Sequence, residues 1–345
     1  MSMRIAQVAP LAESVPPLLY GGTERIVSYL TEELVNLGHD VTLYASGDSQ
    51  TRANLVGGCP RALWRDPDIR ETLPHQVRLL ELVARDMEKF DVIHFHCDYV
   101  HFPLVRRDRC RSLTTMHGWM HAPDLQPILD EYRELPLVSI SDDQRRPVPH
   151  ANWQATVYHG LPPDLFAFHA KPQGYLAFLG RLSPEKRVDR AIEIACQAGM
   201  PLKIAAKIYP EEREYFKEKI MPLVEASKSL VDYTGEITDS EKNEFLGGAS
   251  ALLFPIEWPE PFGLVMIEAL ACGTPVIAWR RGSVPEVLND GETGYIVDDI
   301  GEAVAAVHRV ACLSRQRCRR AFEERFSAKR MARDYLEVYQ RLTLH

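Results

Sequence analysis

This sequence of 345 residues has few cysteines, and they do not occur in the patterns that bind metals or build disulfide frameworks. Seven is an odd number, and no two of them form a CxxC pair. We therefore expect neither a disulfide framework nor a zinc site, but reduced and mostly buried thiols. The cysteines are Cys59, Cys97, Cys110, Cys196, Cys272, Cys312 and Cys318.

Long hydrophobic runs are also missing. No stretch approaches the roughly twenty apolar residues that a membrane-spanning helix needs, so the sequence predicts no such helix. The opening residues, MSMRIAQVAP, have neither the apolar core nor the small-residue cleavage site of a secretory signal peptide. The expected location is the cytoplasm.

Positive charge is not in excess. The 48 Asp and Glu residues outnumber the 40 Lys and Arg, and the net charge of -8 argues against nucleic acid as a partner. Arg106, Arg107, Arg109 and Arg111 form one local basic cluster. Two interpretations of this cluster stay open: weak contact with an anionic membrane surface, and an ordinary solvated turn.

Sequence patterns that bind nicotinamide cofactors or metal ions are absent too. No GxGxxG follows the first apolar segment, so the fingerprint of dinucleotide binding is missing. The DxD-like motif DPD at residues 66–68 has no apolar strand before it and is predicted to be a loop. His94 and His96, even with Asp98, offer too few ligands for a metal site. We expect neither a cofactor nor a metal.

Short apolar runs that alternate with amphipathic helical patterns dominate the chain. Runs at this spacing are typical of βα units that build a parallel sheet. The pattern pauses near residues 166–174 and then restarts, which predicts two successive doubly wound α/β domains. The predicted strands are residues 4–9, 41–45, 91–95, 112–116 and 137–140 in the first domain, and 175–179, 202–205, 230–233, 251–254 and 275–278 in the second.

The predicted boundaries place an N-terminal domain at residues 1–168 and a C-terminal domain at residues 169–325. Residues 326–345 form a predicted helix that is expected to pack back on the first domain. Doubly wound domains bind ligands at the carboxyl ends of their strands, so the cleft between the two domains is the predicted site.

The segment EPFGLVMIEALACGTPV, residues 260–276, carries the clearest chemical signal. A buried strand and a proline-rich turn precede it, and a helix is predicted to begin near Phe262. The N–H groups of Phe262, Gly263 and Leu264 would then favour an anion at the helix N-terminus. Gly263 would let a ligand approach the backbone closely.

Two carboxylates flank the start of this predicted helix. Glu260 precedes it and Glu268 lies nearly two turns inside it, so both could accept hydrogen bonds from hydroxyl groups of one elongated ligand. The alternatives are a helix cap for Glu260 and a solvated helical face for Glu268. The apolar neighbours of Glu268 favour burial, and a buried carboxylate needs a partner.

This segment resembles the EX7E motif of the retaining glycosyltransferases of the GT4 family. The family has the α/β GT-B fold, in which two Rossmann-like doubly wound domains face a central cleft. Other pieces resemble the family in the same order along the chain, and the resemblance extends over essentially the whole sequence. They are YGGTER at 20–25 (glycine loop), GRLSPEK at 180–186 (basic phosphate-binding loop), YTGE at 233–236 (base-pocket strand), GSVPE at 282–286 and GETG at 291–294.

The resemblance implies metal-independent transfer of a hexosyl group from a UDP-sugar to a hydroxyl-bearing acceptor. Arg181 and Lys186 would stabilise the charge that develops on the leaving diphosphate, and His117 would contact the donor sugar. From the spacing alone, two interpretations of Arg181 and Lys186 stay open, phosphate binding and ordinary surface cations, and a lone histidine such as His117 is more often structural or on the surface. The implied catalytic residues are His117, Arg181, Lys186 and Glu260, and the implied donor-binding residues are Gly21, Gly22, Glu236, Ile237, Phe262, Gly263, Leu264 and Glu268.

Three positions depart from the family pattern. Arg187 stands where the basic loop usually has glycine, and His159 stands where the linker motif usually has Asn. Lys207 ends a strand that usually ends in glycine, and it is either a third cation at the site or a surface charge. These departures bear on the identity of the sugar and the acceptor.

A narrower resemblance covers residues 3–51. They are similar to a bacterial subgroup labelled UDP-glucose:tetrahydrobiopterin glucosyltransferase, which points to glucose and a small polar acceptor. Two rival hypotheses stay open: another reaction on the same fold, such as epimerisation or phosphorolysis, and an inactive subunit that binds nucleotide sugars. The joint presence of Arg181, Lys186, Glu260 and Glu268 argues against the inactive subunit.

Overall fold

The computed structural model describes residues 2–19, 21–108 and 111–344, apart from the side chain of Asp108. Tyr20 of the glycine loop, Arg109 of the basic cluster, Cys110 and the two terminal residues lie outside the described residues. The chain forms two compact units. Unit 1 comprises residues 1–162 and 328–345, and unit 2 comprises residues 163–327.

Unit 1 is built on a parallel sheet whose central strands are mostly buried, as expected when helices cover both faces. Its strands are β1 (Arg4–Val8), β2 (Asp40–Ser46), β3 (Asn54–Cys59), β4 (Val92–Phe95), β5 (Ser112–Thr115), β6 (Leu137–Ser139) and β7 (Trp153–Thr156), in the spatial order β3-β2-β1-β4-β5-β6-β7. The helices between them are α1 (Gly22–Asn36), α2 (Leu73–Asp86), α3 (Phe102–Asp108) and α4 (Leu125–Glu131).

Unit 2 repeats this plan with a second parallel sheet. Its strands are β8 (Tyr175–Arg181), β9 (Leu202–Lys207), β10 (Val231–Gly235), β11 (Ala249–Phe254), β12 (Val276–Trp279) and β13 (Gly294–Val297), in the spatial order β10-β9-β8-β11-β12-β13. Its helices are α5 (Val188–Ala198), α6 (Arg213–Tyr215), α7 (Met221–Ala226), α8 (Asp239–Gly247), α9 (Leu264–Ala271), α10 (Val284–Val287), α11 (Ile300–Arg309) and α12 (Arg315–Arg325).

The chain then returns to unit 1 as helix α13 (Ala328–Thr343). One face of α13 is apolar and buried, and it includes Met331, Tyr335 and Tyr339. This face packs against α1 and β4. The last helix therefore belongs to the same compact body as the first strand.

In both sheets the strand order reverses next to the first strand of the unit. In unit 1 β1 pairs with β2 on one side and β4 on the other, and in unit 2 β8 pairs with β9 and β11. This reversal is the topological switch point at which doubly wound sheets bind ligands, beyond the carboxyl ends of the strands. Residues that follow β1, β4, β5, β8 and β11 therefore lie at the edges of the sheets where ligands are expected to bind.

Every strand predicted from the apolar runs is present, with ends shifted by one or two residues. The sequence missed β3, β7 and β13. Each of these lies at a sheet edge, and each has exposed or half-buried residues. Edge strands need fewer apolar residues, so they lack the continuous hydrophobic run that marks the others.

The first boundary between the units lies earlier in the sequence than predicted, and the second lies later. The chain passes between them at residues 162–163 and 327–328, whereas the predicted boundaries followed residues 168 and 325. Arg319 of α12 explains the first difference, because its guanidinium donates to the backbone carbonyls of Pro163 and Phe166, each at 2.7 Å. These contacts tie residues 163–168 to unit 2.

Candidate active site

The helix expected to begin near Phe262 begins at Leu264, so this prediction was wrong by two residues. Gly263 is the N-cap and adopts a left-handed backbone conformation with φ 79°. A Cβ atom there would lie 2.9 Å from Cε of Met266 and 3.1 Å from Cζ of Phe254. The glycine is therefore required by the turn, and the N–H groups of the first helical turn begin with Leu264 rather than Phe262.

Lys186 and Glu260 form an ion pair close to this helix start. Nζ of Lys186 contacts Oε2 of Glu260, which also accepts a hydrogen bond of 2.8 Å from Nε1 of Trp258. The ammonium lies 5.1 Å from the ring centre of Trp258 and 5.8 Å from that of Phe254. Carboxylate and aromatic faces together compensate a largely buried cation.

Arg181, the last residue of β8, is held by carboxylates. Its Nη2 lies 2.9 Å from Oε1 of Glu212 and 3.3 Å from Oε1 of Glu185. The guanidinium also lies 5.5 Å from the ring centre of Tyr209. The structure thus places this cation at the carboxyl edge of the central strand of unit 2, where the sequence predicted it.

Glu268 is only 5% exposed, so the solvated-face alternative is wrong. Its Oε1 lies 3.2 Å from Nζ of Lys242, which projects from α8 and also lies 3.2 Å from Oδ1 of Asp239. This lysine is the partner that a buried carboxylate on an apolar helix requires.

Lys207 lies next to Arg181 in the sheet, because the two residues pair across β8 and β9. Its Nζ lies 4.7 Å from the ring centre of Tyr209 and 3.8 Å from Oε1 of Glu236. Ile237 follows Glu236 in the loop that leads from β10 to α8. The edge of unit 2 thus has two neighbouring cations, which face carboxylates.

Arg187, the residue that replaces the usual glycine, has a left-handed backbone with φ 54°. Its guanidinium donates to Asp189, and Nη1 lies 2.8 Å from Oε2 of Glu257. The backbone N–H of Glu257 donates to the carbonyl of Glu185 at 2.9 Å. These contacts fasten the loop that carries Lys186 to the turn that carries Glu260.

The glycine loop of unit 1 lies at the start of α1, as predicted. Gly21 is the N-cap and Gly22 the first helical residue. A Cβ atom on Gly21 would lie 2.7 Å from Cβ of Pro17, so the turn packs too tightly for a side chain. Glu24 is buried in this first turn, and burial raises the pKa of its carboxyl.

His117 follows β5 and is itself half-buried, and it lies against a group of buried histidines. Its Nε2 lies 2.9 Å from Nδ1 of His96, and its ring stacks on His159 with ring centres 5.3 Å apart. Burial lowers the pKa of His117 to about 3 and that of His101 to about 3. His117 is therefore neutral at physiological pH and serves as a hydrogen-bonding group, not as a cation.

The weaker sequence signals have ordinary surroundings. Asp66 of the DPD motif pairs with Nε of Arg61 at 2.9 Å. Arg106 of the basic cluster contacts the carboxylates of Glu131 and Glu134. Within the described residues, no three His, Cys, Asp or Glu side chains form a group that could hold a metal ion. None of the helices in that part of the chain is both long and apolar enough to cross a membrane.

Sequence reasoning missed five residues that shape the site. Lys242, Glu212 and Trp258 each contact a predicted residue of unit 2. Gln7 and Tyr339 hold the histidines of unit 1. Trp258 lies two residues from Glu260, whereas the other four lie far along the chain from their partners, where no local pattern could have found them.

Both units resemble known protein families. Residues 166–328 match the family model described as Glycosyl transferases group 1, and residues 20–141 match that of Glycosyltransferase Family 4. Together the two models cover most of both units. The chain belongs to the GT4-type glycosyltransferases.

One curated relative of this glycosyltransferase chain is the GDP-mannose-dependent alpha-(1-6)-phosphatidylinositol dimannoside mannosyltransferase of Mycobacterium tuberculosis. It is 32% identical over 202 residues, which are 52% of this chain and 51% of the relative. The chain spans about half the length, or less, of the curated relatives it matches first.

Solved structures resemble the chain over nearly its full length. AviGT4, a glycosyltransferase involved in avilamycin A biosynthesis, is 24% identical with a TM-score of 0.75, covering 99% of this chain and 98% of that one. Anabaena HepE, crystallised with UDP and glucose, is 16% identical with a TM-score of 0.75, covering 98% and 100%. At these identities the likeness shows the fold, which is GT-B.

Proposed function

We propose that this glycosyltransferase moves a hexosyl group, with glucose as the first candidate, from a UDP-sugar to a hydroxyl of a small polar or glycan acceptor. The observation that carries the proposal is the contact between Lys186 and Glu260 beside the start of α9. A cation for phosphate, a carboxylate for hydroxyls and backbone N–H groups then lie within one small region of unit 2.

Lys186 and Arg181 are proposed to bind the diphosphate of the donor. Both have carboxylate partners, Glu260 and Glu212, and a phosphate would replace these with a stronger anion. As the bond from the sugar to the diphosphate breaks, negative charge grows on the leaving oxygen. Two fixed cations stabilise the transition state, in which this charge has developed, more than they stabilise the bound donor. The activation barrier is therefore lowered.

The remaining donor contacts are proposed for α9 and the β10 loop. Glu260, released from Lys186, would accept hydrogen bonds from sugar hydroxyls together with the backbone of Phe262, Gly263 and Leu264. Glu268 would accept from the ribose hydroxyls, because a buried carboxylate on the inner face of α9 can only accept. The backbone near Glu236 and Ile237 would contact the base.

The proposed reaction retains the configuration at the anomeric carbon. The bond from that carbon to the diphosphate oxygen breaks, and a bond to the acceptor oxygen forms on the same face. The acceptor proton passes to the leaving phosphate oxygen, so the step needs neither a metal nor an enzymic nucleophile. Neutral His117 is proposed to bind a sugar hydroxyl, and Gly21 and Gly22 to lie near a phosphate or the acceptor, as the family resemblance implies.

Separate observations bear on the identity of the donor. The narrower resemblance of residues 3–51 favours UDP-glucose, and HepE was crystallised with UDP and glucose. The mannosyltransferase relative is named for GDP-mannose. A hydroxyl-bearing acceptor follows from the reaction class, and a cytoplasmic location and a lack of metal requirement are part of the proposal.

Calorimetric titration of the protein with UDP, GDP, UDP-glucose and GDP-mannose tests donor binding. We expect UDP-glucose to bind without added metal, and Glu268→Ala to weaken UDP binding at least tenfold. Glu193→Ala, a matched change of an exposed glutamate on α5, is expected to leave the affinity unchanged. Equal UDP affinity in Glu268→Ala and the wild type would refute the ribose assignment.

Mass spectrometry of acceptor mixtures with UDP-glucose tests transfer. A product heavier by one hexosyl residue, formed together with UDP, supports the proposal. Isomerised donor without any acceptor would indicate an epimerase, and binding without turnover would indicate an inactive donor-binding subunit. Failure of every nucleotide sugar to bind would overturn the proposal.

A further inference from the structure

A chain of hydrogen bonds crosses the interior of unit 1 from α13 to His117. Nε2 of Gln7 donates to the hydroxyl of Tyr339 at 3.0 Å, and Oε1 of Gln7 lies 2.8 Å from Nε2 of His96. Nδ1 of His96 lies 2.9 Å from Nε2 of His117. Tyr339, Gln7 and His96 are at most 2% exposed, so their polar atoms depend on one another for partners.

A second branch leaves the same tyrosine. The hydroxyl of Tyr339 lies 2.7 Å from Nδ1 of His94, and Nε2 of His94 lies 2.7 Å from Oγ1 of Thr115. Thr115 in turn lies 2.9 Å from the hydroxyl of Tyr335, one turn earlier on α13. Tyr339 is thus the point at which the two branches join.

Burial keeps the imidazole rings of this hydrogen-bond network neutral. It lowers the pKa of His117 to about 3 and holds the pKa values of His96 and His94 well below their ordinary value. A neutral imidazole has one donor nitrogen and one acceptor nitrogen. The proton on one nitrogen therefore determines what the other nitrogen can do.

Gln7 determines which group donates in each hydrogen bond between it and His117. Its amide nitrogen donates to Tyr339, which turns the carbonyl oxygen towards His96. A carbonyl oxygen only accepts, so Nε2 of His96 carries the proton and Nδ1 accepts. Nε2 of His117 then donates to His96, and Nδ1 of His117 keeps a lone pair.

The unsatisfied lone pair on Nδ1 indicates that a ligand binds here. Nδ1 of His117 is enclosed and has no hydrogen-bond partner among the described residues. A buried polar atom without a partner is costly, and His117 follows a central strand at the edge where doubly wound sheets bind ligands. A hydroxyl group that enters the site would supply the missing donor.

We propose that Tyr339 is a positioning residue that, by holding the amide of Gln7, keeps Nδ1 of His117 an acceptor for a substrate hydroxyl. The part that concerns the substrate rests on the proposed function. The part that concerns the tautomer of His117 does not, and it can be measured without any substrate.

Tyr335 provides a matched control. Both tyrosines are fully buried on the same face of α13, and each would lose one hydroxyl on change to Phe. Tyr335 ends its branch at Thr115, so Tyr335→Phe leaves the link between Tyr339 and Gln7 intact. A purely structural role predicts no change at the ring nitrogens of His117 that is specific to Tyr339→Phe.

Nitrogen NMR of protein labelled with ¹⁵N-histidine tests the proposal, with the signals of His117 assigned by their loss in His117→Gln. We expect an unprotonated Nδ1 in the wild type and in Tyr335→Phe. Tyr339→Phe frees the amide of Gln7 to turn, so His117 should show a mixture of tautomers. Gln7→Met should give the same mixture by a separate route. Unchanged His117 signals in Tyr339→Phe and Gln7→Met, or equal changes in both tyrosine variants, would overturn the proposal.

Kinetics provide the second measurement. Loss of one oriented hydrogen bond predicts a fall in kcat/KM of about tenfold for Tyr339→Phe, while Tyr335→Phe should stay within about twofold of the wild type. If the wild type neither binds nor transfers a nucleotide sugar, the proposed function fails while the NMR result stands. If the tautomer shifts but kcat/KM does not, the link to the substrate is refuted.

Discussion

Arg187 holds a left-handed backbone, φ 54°, while Nη1 of its guanidinium lies 2.8 Å from Oε2 of Glu257. The left-handed conformation costs a residue with a side chain about 1 kcal/mol, and glycine adopts it freely. The side-chain contacts across the two loops offset that strain. Arginine at this position thus forms a bridge that glycine could not form.

The backbone strain at Arg187 predicts an unusual order of stabilities. Arg187→Ala loses the ion pairs and keeps the strained conformation, whereas Arg187→Gly loses the ion pairs and relieves the strain. We expect Arg187→Gly to have a free energy of unfolding about 1 kcal/mol higher than Arg187→Ala in urea titrations. An alanine variant as stable as the glycine variant would contradict the strain.

Lys186 is predicted to act mainly on the chemical step. Because it stabilises charge that develops on the diphosphate, Lys186→Ala should lower kcat/KM by about 10²–10³ in steady-state kinetics with UDP-glucose. Lys219→Ala, which removes an exposed lysine of the same unit, is the control and should retain wild-type rates. A fall in the control as large as that in Lys186→Ala would argue for a general loss of charge rather than a specific contact.

Substitutions of Lys242 and Glu268 are predicted to have non-additive effects on the free energy of unfolding. Lys242→Met keeps the aliphatic stem but leaves a buried carboxylate without its cation, which should lower the free energy of unfolding by about 2 kcal/mol. Glu268→Gln in the same chain removes the unpaired charge. The double variant should therefore be more stable than the sum of the single changes predicts, as a double-mutant cycle in urea would measure. Simple additivity would show that the two groups do not interact.

The buried histidines predict acid sensitivity in unit 1. Their folded pKa values lie below the ordinary value of about 6.5, so below that pH the unfolded chain binds more protons than the folded one. Stability is then fully present above about pH 6.5 and is lost as the pH falls towards about 3. Each such histidine contributes a slope of about 1.4 kcal/mol per pH unit.

His101 allows this slope to be measured. It stacks on Phe95 with ring centres 3.8 Å apart, so His101→Phe keeps an aromatic ring while removing one titrating group. Urea titrations between pH 4 and 6 should show a shallower loss of stability in this variant than in the wild type. The same slope in both proteins would contradict the role of burial.

Much of the candidate site follows from local patterns in the sequence. The apolar runs predict the central strands, and the EX7E segment predicts α9 because glycine, proline and an apolar helix lie side by side in the chain. The start of α9 was misplaced because the left-handed turn at Gly263 delays it by two residues. Conformation at a single residue decides such a boundary, and a hydrophobic pattern does not contain it.

The partners of the site residues could not be predicted in this way. Lys242 and Glu268 lie 26 residues apart, and Gln7 and Tyr339 lie 332 apart. A buried charge implies that some partner exists, and that much was expected of Glu268. Which residue fills the role depends on how helices pack on the sheet, which periodicity does not specify.

The position of α13 has a consequence for synthesis on the ribosome. Unit 1 begins with β1 but receives Tyr339 only after all of unit 2 has been translated. Until then Gln7 and His94 lack the hydroxyl that satisfies them both. Unit 2, whose segments are contiguous, is therefore able to finish folding on the nascent chain first, and the N-terminal body is completed last, when the final helix leaves the exit tunnel.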